Sequence, residues 1–268
     1  MSKIPKKAQQ RILKTLPVFQ RVLEDARRRD INEADTVTIV TDMLADLFGF
    51  DKYTEITGEF AIRKTFCDLA IKFENEIKLL IEVKAIGLNL KENHLRQAVN
   101  YGANQGIQWV VLTNGIEWEV YALKFEKPIS YALLCRFNML ELSARASDDQ
   151  GTLLLLSKEG TQRNLIKEYQ NRVNILNKFT LGAVIQSDPV LNVIRRELRR
   201  INPDLKVETE ELEEILLAEV LKRDLIDGER VKKAAAKVRK ASDRSLRRST
   251  ARNDAEKEDV ELDAALTP

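Results

Sequence analysis

At Gly49 the apolar spacing of this chain changes from a helical period to a period of two, and that change limits what the chain can fold into. Before it, Ile12, Leu13, Leu16, Phe19, Val22 and Leu23 fall at helical spacing. They predict a basic helix over about residues 5–29, with a kink or restart at Pro17. A second helix is predicted from an Asn32 N-cap to about Phe48, with Val37, Val40, Leu44 and Leu47 on one stripe and Gly49 as its stop. Three strand-like segments follow, roughly Thr54–Ile62, Thr65–Phe73 and Ile77–Ala85, and Asn75 turns the second into the third. A helix over about Lys91–Asn104, closed by Gly106, leads to a short strand at Gln108–Leu112. Thr113-Asn114-Gly115 then marks a hairpin, because Asn-Gly accepts the positive φ angles of a tight turn. Partner strands are expected over Ile116–Phe125 and Ser130–Phe137. This order describes an α/β chain of the α+β kind, a mixed sheet flanked by helices.

From about Leu140 onward the pattern is helical. Helices are predicted over Gly160–Leu181, Asp188–Arg200, Glu208–Arg223 and Gly228 to about Leu246, with Asp188-Pro189 and Thr209 as starts and Asn202-Pro203 as a break. The run Leu153–Leu156 is expected to bury a helix of this region against the sheet. The last twenty residues, polar with mixed charges, are expected to be disordered. The organisation read from this pattern is an N-terminal helix (1–30), a core (31–138), a helical appendage (139–228) and a basic helix with its tail (229–268).

Few aromatic residues, 6%, argue against an all-β sandwich, and 32% charged residues fit a heavily charged soluble surface. Cys67 and Cys135 each sit inside an apolar run with no ligand spacing, so they read as free thiols of a reducing, cytoplasmic compartment. No apolar segment follows the basic N-terminus and no run approaches a membrane span, so neither a signal peptide nor a membrane partner is expected. The net charge of +2 is unevenly spread: Arg230 to Arg252 holds ten Lys/Arg against one acid, Asp243, while Glu208 to Glu219 carries only acids. The basic block fits either a polyanion partner or a solvated helix fading into a tail.

The chemistry is concentrated in two strands. Asp68 stands within Phe-Cys-Asp-Leu-Ala-Ile, and Glu82 and Lys84 stand within Leu79-Leu80-Ile81-Glu82-Val83-Lys84-Ala85. Residues two apart on a strand share a face, so Glu82 and Lys84 project together, and pairing through the Asn75 turn brings Asp68 beside them. Three charges in an apolar setting are costly unless they compensate one another or bind a metal. Two carboxylates make a hard oxygen site suited to Mg²⁺, with Mn²⁺ as a substitute. Glu76-Ile77-Lys78 has the same spacing but opens its strand beside a turn, where solvent compensates the charges. A strand-edge ion pair is the plain structural alternative for Glu82 and Lys84.

Asp68, Glu82-Val83-Lys84, Gln97-Ala98-Val99-Asn100-Tyr101, Val110-Val111-Leu112-Thr113-Asn114-Gly115 and Trp118 together resemble the N-terminal domain of type I restriction enzyme R proteins, of the PD-(D/E)xK nuclease superfamily. The resemblance runs from about Glu33 to Phe125. It implies that Asp68 and Glu82 bind the metal, that Lys84 serves the attacking water, and that Glu33 completes the metal site. It further implies that Gln97 and Tyr101, one helical turn apart, line the active site and contact nucleic acid. The proline that names the motif is replaced by Cys67. No G-x-x-x-x-G-K-[ST] loop occurs in the 268 residues, so the resemblance does not extend to an ATP-driven motor.

The expected function is therefore a Mg²⁺-dependent nuclease acting on DNA, with RNA left open and a homodimer open because many nucleases of this class cut duplex DNA as dimers. The alternative is a catalytically silent nuclease-fold domain that binds nucleic acid or a partner protein. A helical interaction protein dimerising through residues 160–225 is a third reading. His94, the sole histidine, is expected at the surface, and Trp109 and Trp118 are expected to pack the hairpin.

Overall fold

The computed structural model describes residues 4–62 and 65–244, with the side chains of residues 59–62, 65, 66 and 97 outside that description. The fold is mixed α/β: a six-stranded mixed sheet with helices. The basic residues beyond 244 and the tail expected to be disordered lie outside the described residues.

Helix α1 (Lys6–Arg29) buries Ala8, Ile12, Leu16, Phe19, Leu23 and Ala26, a stripe at steps of three and four. It runs unbroken through Pro17. The proline ring is exposed, and the buried Leu16 and Phe19 on either side hold the helix together despite the missing backbone bond. Helix α2 (Glu33–Asp46) begins where the Asn32 side chain accepts from the Asp35 N–H at 2.9 Å. It ends in a turn at Gly49, φ +86°. A Cβ there would stand 2.5 Å from the Arg11 guanidinium carbon, so the turn and the arginine fit together only with glycine. Arg11 donates to the Leu47 and Phe48 carbonyls and to both oxygens of Glu159.

The strands are β1 (Ile56–Ile62), β2 (Thr65–Phe73), β3 (Glu76–Val83), β4 (Trp109–Thr113), β5 (Glu117–Lys124) and β6 (Ser130–Asn138), and they lie in that order across the sheet. Only β3 and β4 are parallel neighbours. The crossover between them carries helix α3 (Glu92–Gln105), which Gly106 closes at φ +70°. Glu74 and Asn75 both take positive φ, the two-residue turn that the Asn75 signal announces. In the β4–β5 turn the Asn114 side-chain oxygen accepts from the Ile116 and Glu117 N–H groups.

One face of the sheet packs with α1 and α2 in a large core containing Leu69, Ile71, Ile81, Val83, Val111 and Trp118. The other face packs with α3 in a smaller core of Cys67, Ala70, Leu80, Leu95, Val110 and Leu112 among others. Both tryptophans are buried, as hairpin packing requires.

Helix α4 (Ser147–Leu155) and α5 (Lys158–Gln162) follow the sheet, and Leu153–Leu156 all enter the large core. The single helix expected over Gly160–Leu181 is instead α5, α6 (Leu165–Ile175) and α7 (Lys178–Ile185). The breaks are at Asn164, which adopts φ +54°, and at Asn177, whose side chain caps α7 by accepting from the Thr180 N–H. The described chain divides after Asn171 into two compact units. Residues 139–171, read from the sequence as the start of an appendage, thus share the first unit with the sheet.

In the second unit, α8 (Asp188–Ile201) and α9 (Thr209–Ile215) pack through Leu191, Leu212 and Val207. The helix expected to reach Arg223 passes into a π-helical turn at Leu216–Val220 and stops. A last helix, α10, covers residues 229–244 of the description. No helix among the described residues is long and apolar enough to cross a membrane.

Candidate active site

Strands β2 and β3 run paired as far as Leu69 and Ile81, and there they part. The next positions in that register are Asp68 and Glu82, so the two carboxylates sit side by side where the backbone ladder ends. In place of the missing ladder bond, the Val83 N–H donates to Asp68 Oδ2 at 2.7 Å, which fixes the carboxylate against β3. The Cys67 thiol donates to the Ile81 carbonyl at 3.2 Å. On its other edge β3 stays paired with β4, and the Lys84 N–H donates to the Thr113 carbonyl at 2.8 Å.

Glu82 is 3% exposed. Its Oε1 accepts from Lys84 Nζ at 2.9 Å, while its Oε2 is buried with no hydrogen-bond partner among the described residues. Burial first, and the charge of Asp68 second, push the Glu82 carboxyl up to about 7 in spite of Lys84. Burial works against the charge of Lys84, but its bond to Glu82 and the nearby acids outweigh that and raise its pKa. Cys67, buried beside the two carboxylates, is pushed up to about 12 and stays a thiol.

The other expected site residues are placed as follows. Glu33, at the start of α2, lies 3.3 Å from Lys84 Nζ. It reaches the centre as a second counter-charge to the lysine. Among the described residues no three His, Cys, Asp or Glu side chains group as a metal cage, and Glu33 meets the centre through Lys84. Tyr101 is 1% exposed and lies in the apolar layer between α3 and the sheet, in the same cluster as Cys67. Its phenol is raised by burial and by Cys67. Gln97 is on α3 one turn earlier, and its side chain lies outside the described residues. His94 is half-exposed on the rim of a cleft, and its Nδ1 accepts from the Lys91 N–H at the start of α3. A cleft of about 460 Å³ opens directly after Lys84, bordered by Asp30, Ala85, Gly87, Asn89, Lys91 and His94.

Sequence reasoning passed over Glu119. Register carries the row of Glu82 through Leu112 of β4 to Glu119 of β5 and Arg136 of β6. Glu119 is 3% exposed, accepts from the Tyr121 hydroxyl at 2.5 Å and pairs with the exposed Arg136. Its alternation with Trp118 and Val120 puts it on the sheet face opposite to them, a signal that period-two reading supplies.

Asp68, Glu82 and Lys84 thus form an acid–acid–lysine centre where two strands of a mixed sheet part. Residues 45–133 of this domain match the sequence family described as type I restriction enzyme R protein N terminus. That span includes Asp68, Glu82, Lys84, Gln97 and Tyr101 and leaves out Glu33 and Arg136. No curated protein and no solved structure matches the chain.

Proposed function

We propose that this chain is a metal-dependent nuclease with a PD-(D/E)xK-type core that hydrolyses phosphodiester bonds in DNA. The observation that carries the reading is the Glu82 carboxylate, buried beside Asp68 with one oxygen unsatisfied. A buried anionic oxygen next to a second carboxylate is costly, and a divalent cation relieves it. The donor set is all oxygen, which suits Mg²⁺ or Mn²⁺, and Mg²⁺ takes few protein ligands, so two carboxylates suffice. When bound, such a cation supplies a Lewis acid to the phosphodiester and the attacking water.

The remaining steps belong to the chain. Val83 holds Asp68 in orientation through its N–H, and Glu82 holds Lys84 within hydrogen-bond distance. Lys84, 16% exposed at the side chain, orients the attacking water and offsets the charge that develops on the phosphorane. Glu33 keeps the lysine charged and aimed at the centre. The cleft beyond Ala85 accommodates the backbone next to the scissile phosphate.

The test is incubation of plasmid, single-stranded DNA and RNA with the wild-type protein in Mg²⁺, Mn²⁺ or chelator, alongside Asp68→Ala and Lys84→Ala. Cutting of DNA by wild type in Mg²⁺ or Mn²⁺, lost in chelator and in both variants, supports the reading. Equal traces of cutting by all three proteins end it. Binding without cutting leaves the silent nuclease-fold domain as the function.

A further inference from the structure

In the second unit, helix α8 packs against α9 along one apolar stripe. Leu191 is 2% exposed, and Ile194 and Leu198 pack with it against Val207, Leu212 and Leu216. At 100° per residue these three positions span a narrow arc facing α9. Arg195, Arg196, Arg199 and Arg200 occupy the adjoining and opposite arc. Arg196 and Arg200 share Glu197, Arg195 stands 3.6 Å from Glu208, and Arg199 has no ion-pair partner among the described residues. Four guanidinium groups are thus gathered within six positions, against two acids that touch them.

We infer that this arginine face of α8 is a binding surface for the phosphate backbone of a nucleic acid. The apolar stripe of Leu191, Ile194 and Leu198 is turned into its own small core, and the outward side offers four guanidinium groups with only Val193 and Ile201 exposed beside them, not a continuous hydrophobic wedge. That favours a polyanion over a lipid bilayer, which requires the apolar side of such a helix to be available. The acids of α9, Glu210, Glu211, Glu213 and Glu214, follow the apolar side of α8, so a polyanion approaches from the arginine side. Arg195 and Arg199 are one turn apart, about 6 Å along the axis, and bidentate guanidinium donors match phosphate oxygens. Contacts of this kind fix position without reading sequence. The inference rests on the reading of the chain as one that acts on nucleic acid, but not on its cutting.

The experiment uses the full chain carrying Asp68→Ala, in chelator, with a labelled DNA duplex of arbitrary sequence, and follows binding by fluorescence anisotropy from about 50 to about 300 mM salt. With Arg195→Gln/Arg199→Gln added, the slope of log affinity against log salt is expected to fall by about two. Arg195→Lys/Arg199→Lys retains most of the slope, and the circular-dichroism melt of each protein shows that the helix is intact. Lys14→Gln/Arg21→Gln, a matched loss of two charges on exposed α1 positions, leaves the slope unchanged. An unchanged slope in the α8 glutamine variant, an equal fall in the α1 control, or binding to anionic vesicles in place of DNA overturns the inference. Binding that follows this pattern in a protein that never cuts refutes only the nuclease reading.

Discussion

Glu82 and Lys84 are joined by a 2.9 Å ion pair on one carboxylate oxygen, and the other oxygen of Glu82 has no hydrogen-bond partner among the described residues. Lys84 therefore compensates Glu82 only in part, and its pKa stays above the ordinary carboxylate range. A group whose folded pKa is raised from 4.5 to about 7 gives its full stabilisation below 4.5 and loses it as pH rises through 7. In chelator, Glu82→Gln is expected to melt higher than wild type at about pH 8, by on the order of 2 kcal/mol, and to differ less at about pH 4.5. Differential scanning fluorimetry at the two pH values measures this. A glutamine variant no more stable than wild type at the higher pH contradicts it.

Arg11 links the end of α2 to α5 through the Leu47 and Phe48 carbonyls and both oxygens of Glu159. Burial opposes the charge of Glu159, but Arg11 outweighs it and holds the carboxyl below its usual range. The stabilisation is present above 4.5 and lost as pH falls through the lowered folded value. Arg11→Ala should cost about 2 to 4 kcal/mol at neutral pH, since it leaves a half-buried carboxylate and the Leu47 carbonyl without their donor, while Phe48 keeps the Lys158 N–H. Urea unfolding should show the gap to wild type narrowing in acid; a gap that is constant with pH contradicts the assignment.

Asn114 ties two loops at the centre. Its side-chain oxygen accepts within the β4–β5 turn, and its amide donates to the Leu88 carbonyl in the segment that follows Lys84. Asn114→Ala is expected to lower stability by about 1 to 2 kcal/mol and to speed amide exchange around residues 86–90. Exchange in that segment unchanged from wild type would show that the bond to Leu88 does not hold the loop.

Much of this centre is legible in the sequence, because isolation of charge within an apolar run is a local signal. Glu76 is 73% exposed at its side chain and Glu82 is 4% exposed, so apolar context separates two Glu-x-Lys matches that spacing alone leaves equal. The turns at Asn75 and Gly115 are equally local, since each needs a positive φ that few residues accept. What the sequence hides is tertiary. Glu119 looks like the solvent-facing half of an alternating strand, yet it is buried, with Tyr121 and Arg136 of the next strand as its partners. Tyr101 shares a helix face with Gln97 by spacing, yet the sheet beneath α3 encloses it. Asn164 and Asn177 break the helices because of conformations that an apolar periodicity does not register.

Glu119 gives a prediction of its own. Glu119→Ala leaves the half-buried Tyr121 hydroxyl without its acceptor and should lower the unfolding free energy by about 1 to 2 kcal/mol. Tyr121→Phe/Glu119→Ala together should cost less than the sum of the two single changes, because both remove the same bond. Additive losses in urea unfolding would show that the pair acts independently.

The most direct measurement separates metal binding from hydrolysis at the centre. Mn²⁺ affinity by calorimetry and plasmid cleavage under single-turnover conditions are followed for wild type, Asp68→Ala and Lys84→Ala. Asp68→Ala is expected to lose both. Lys84→Ala is expected to retain Mn²⁺ within about tenfold and to cut at least about a hundredfold more slowly, as general acid–base and charge-offsetting groups contribute on that scale. Wild-type protein that neither binds Mn²⁺ nor cuts, or Lys84→Ala that cuts at the wild-type rate, contradicts the assignment of Asp68, Glu82 and Lys84 as a nuclease centre.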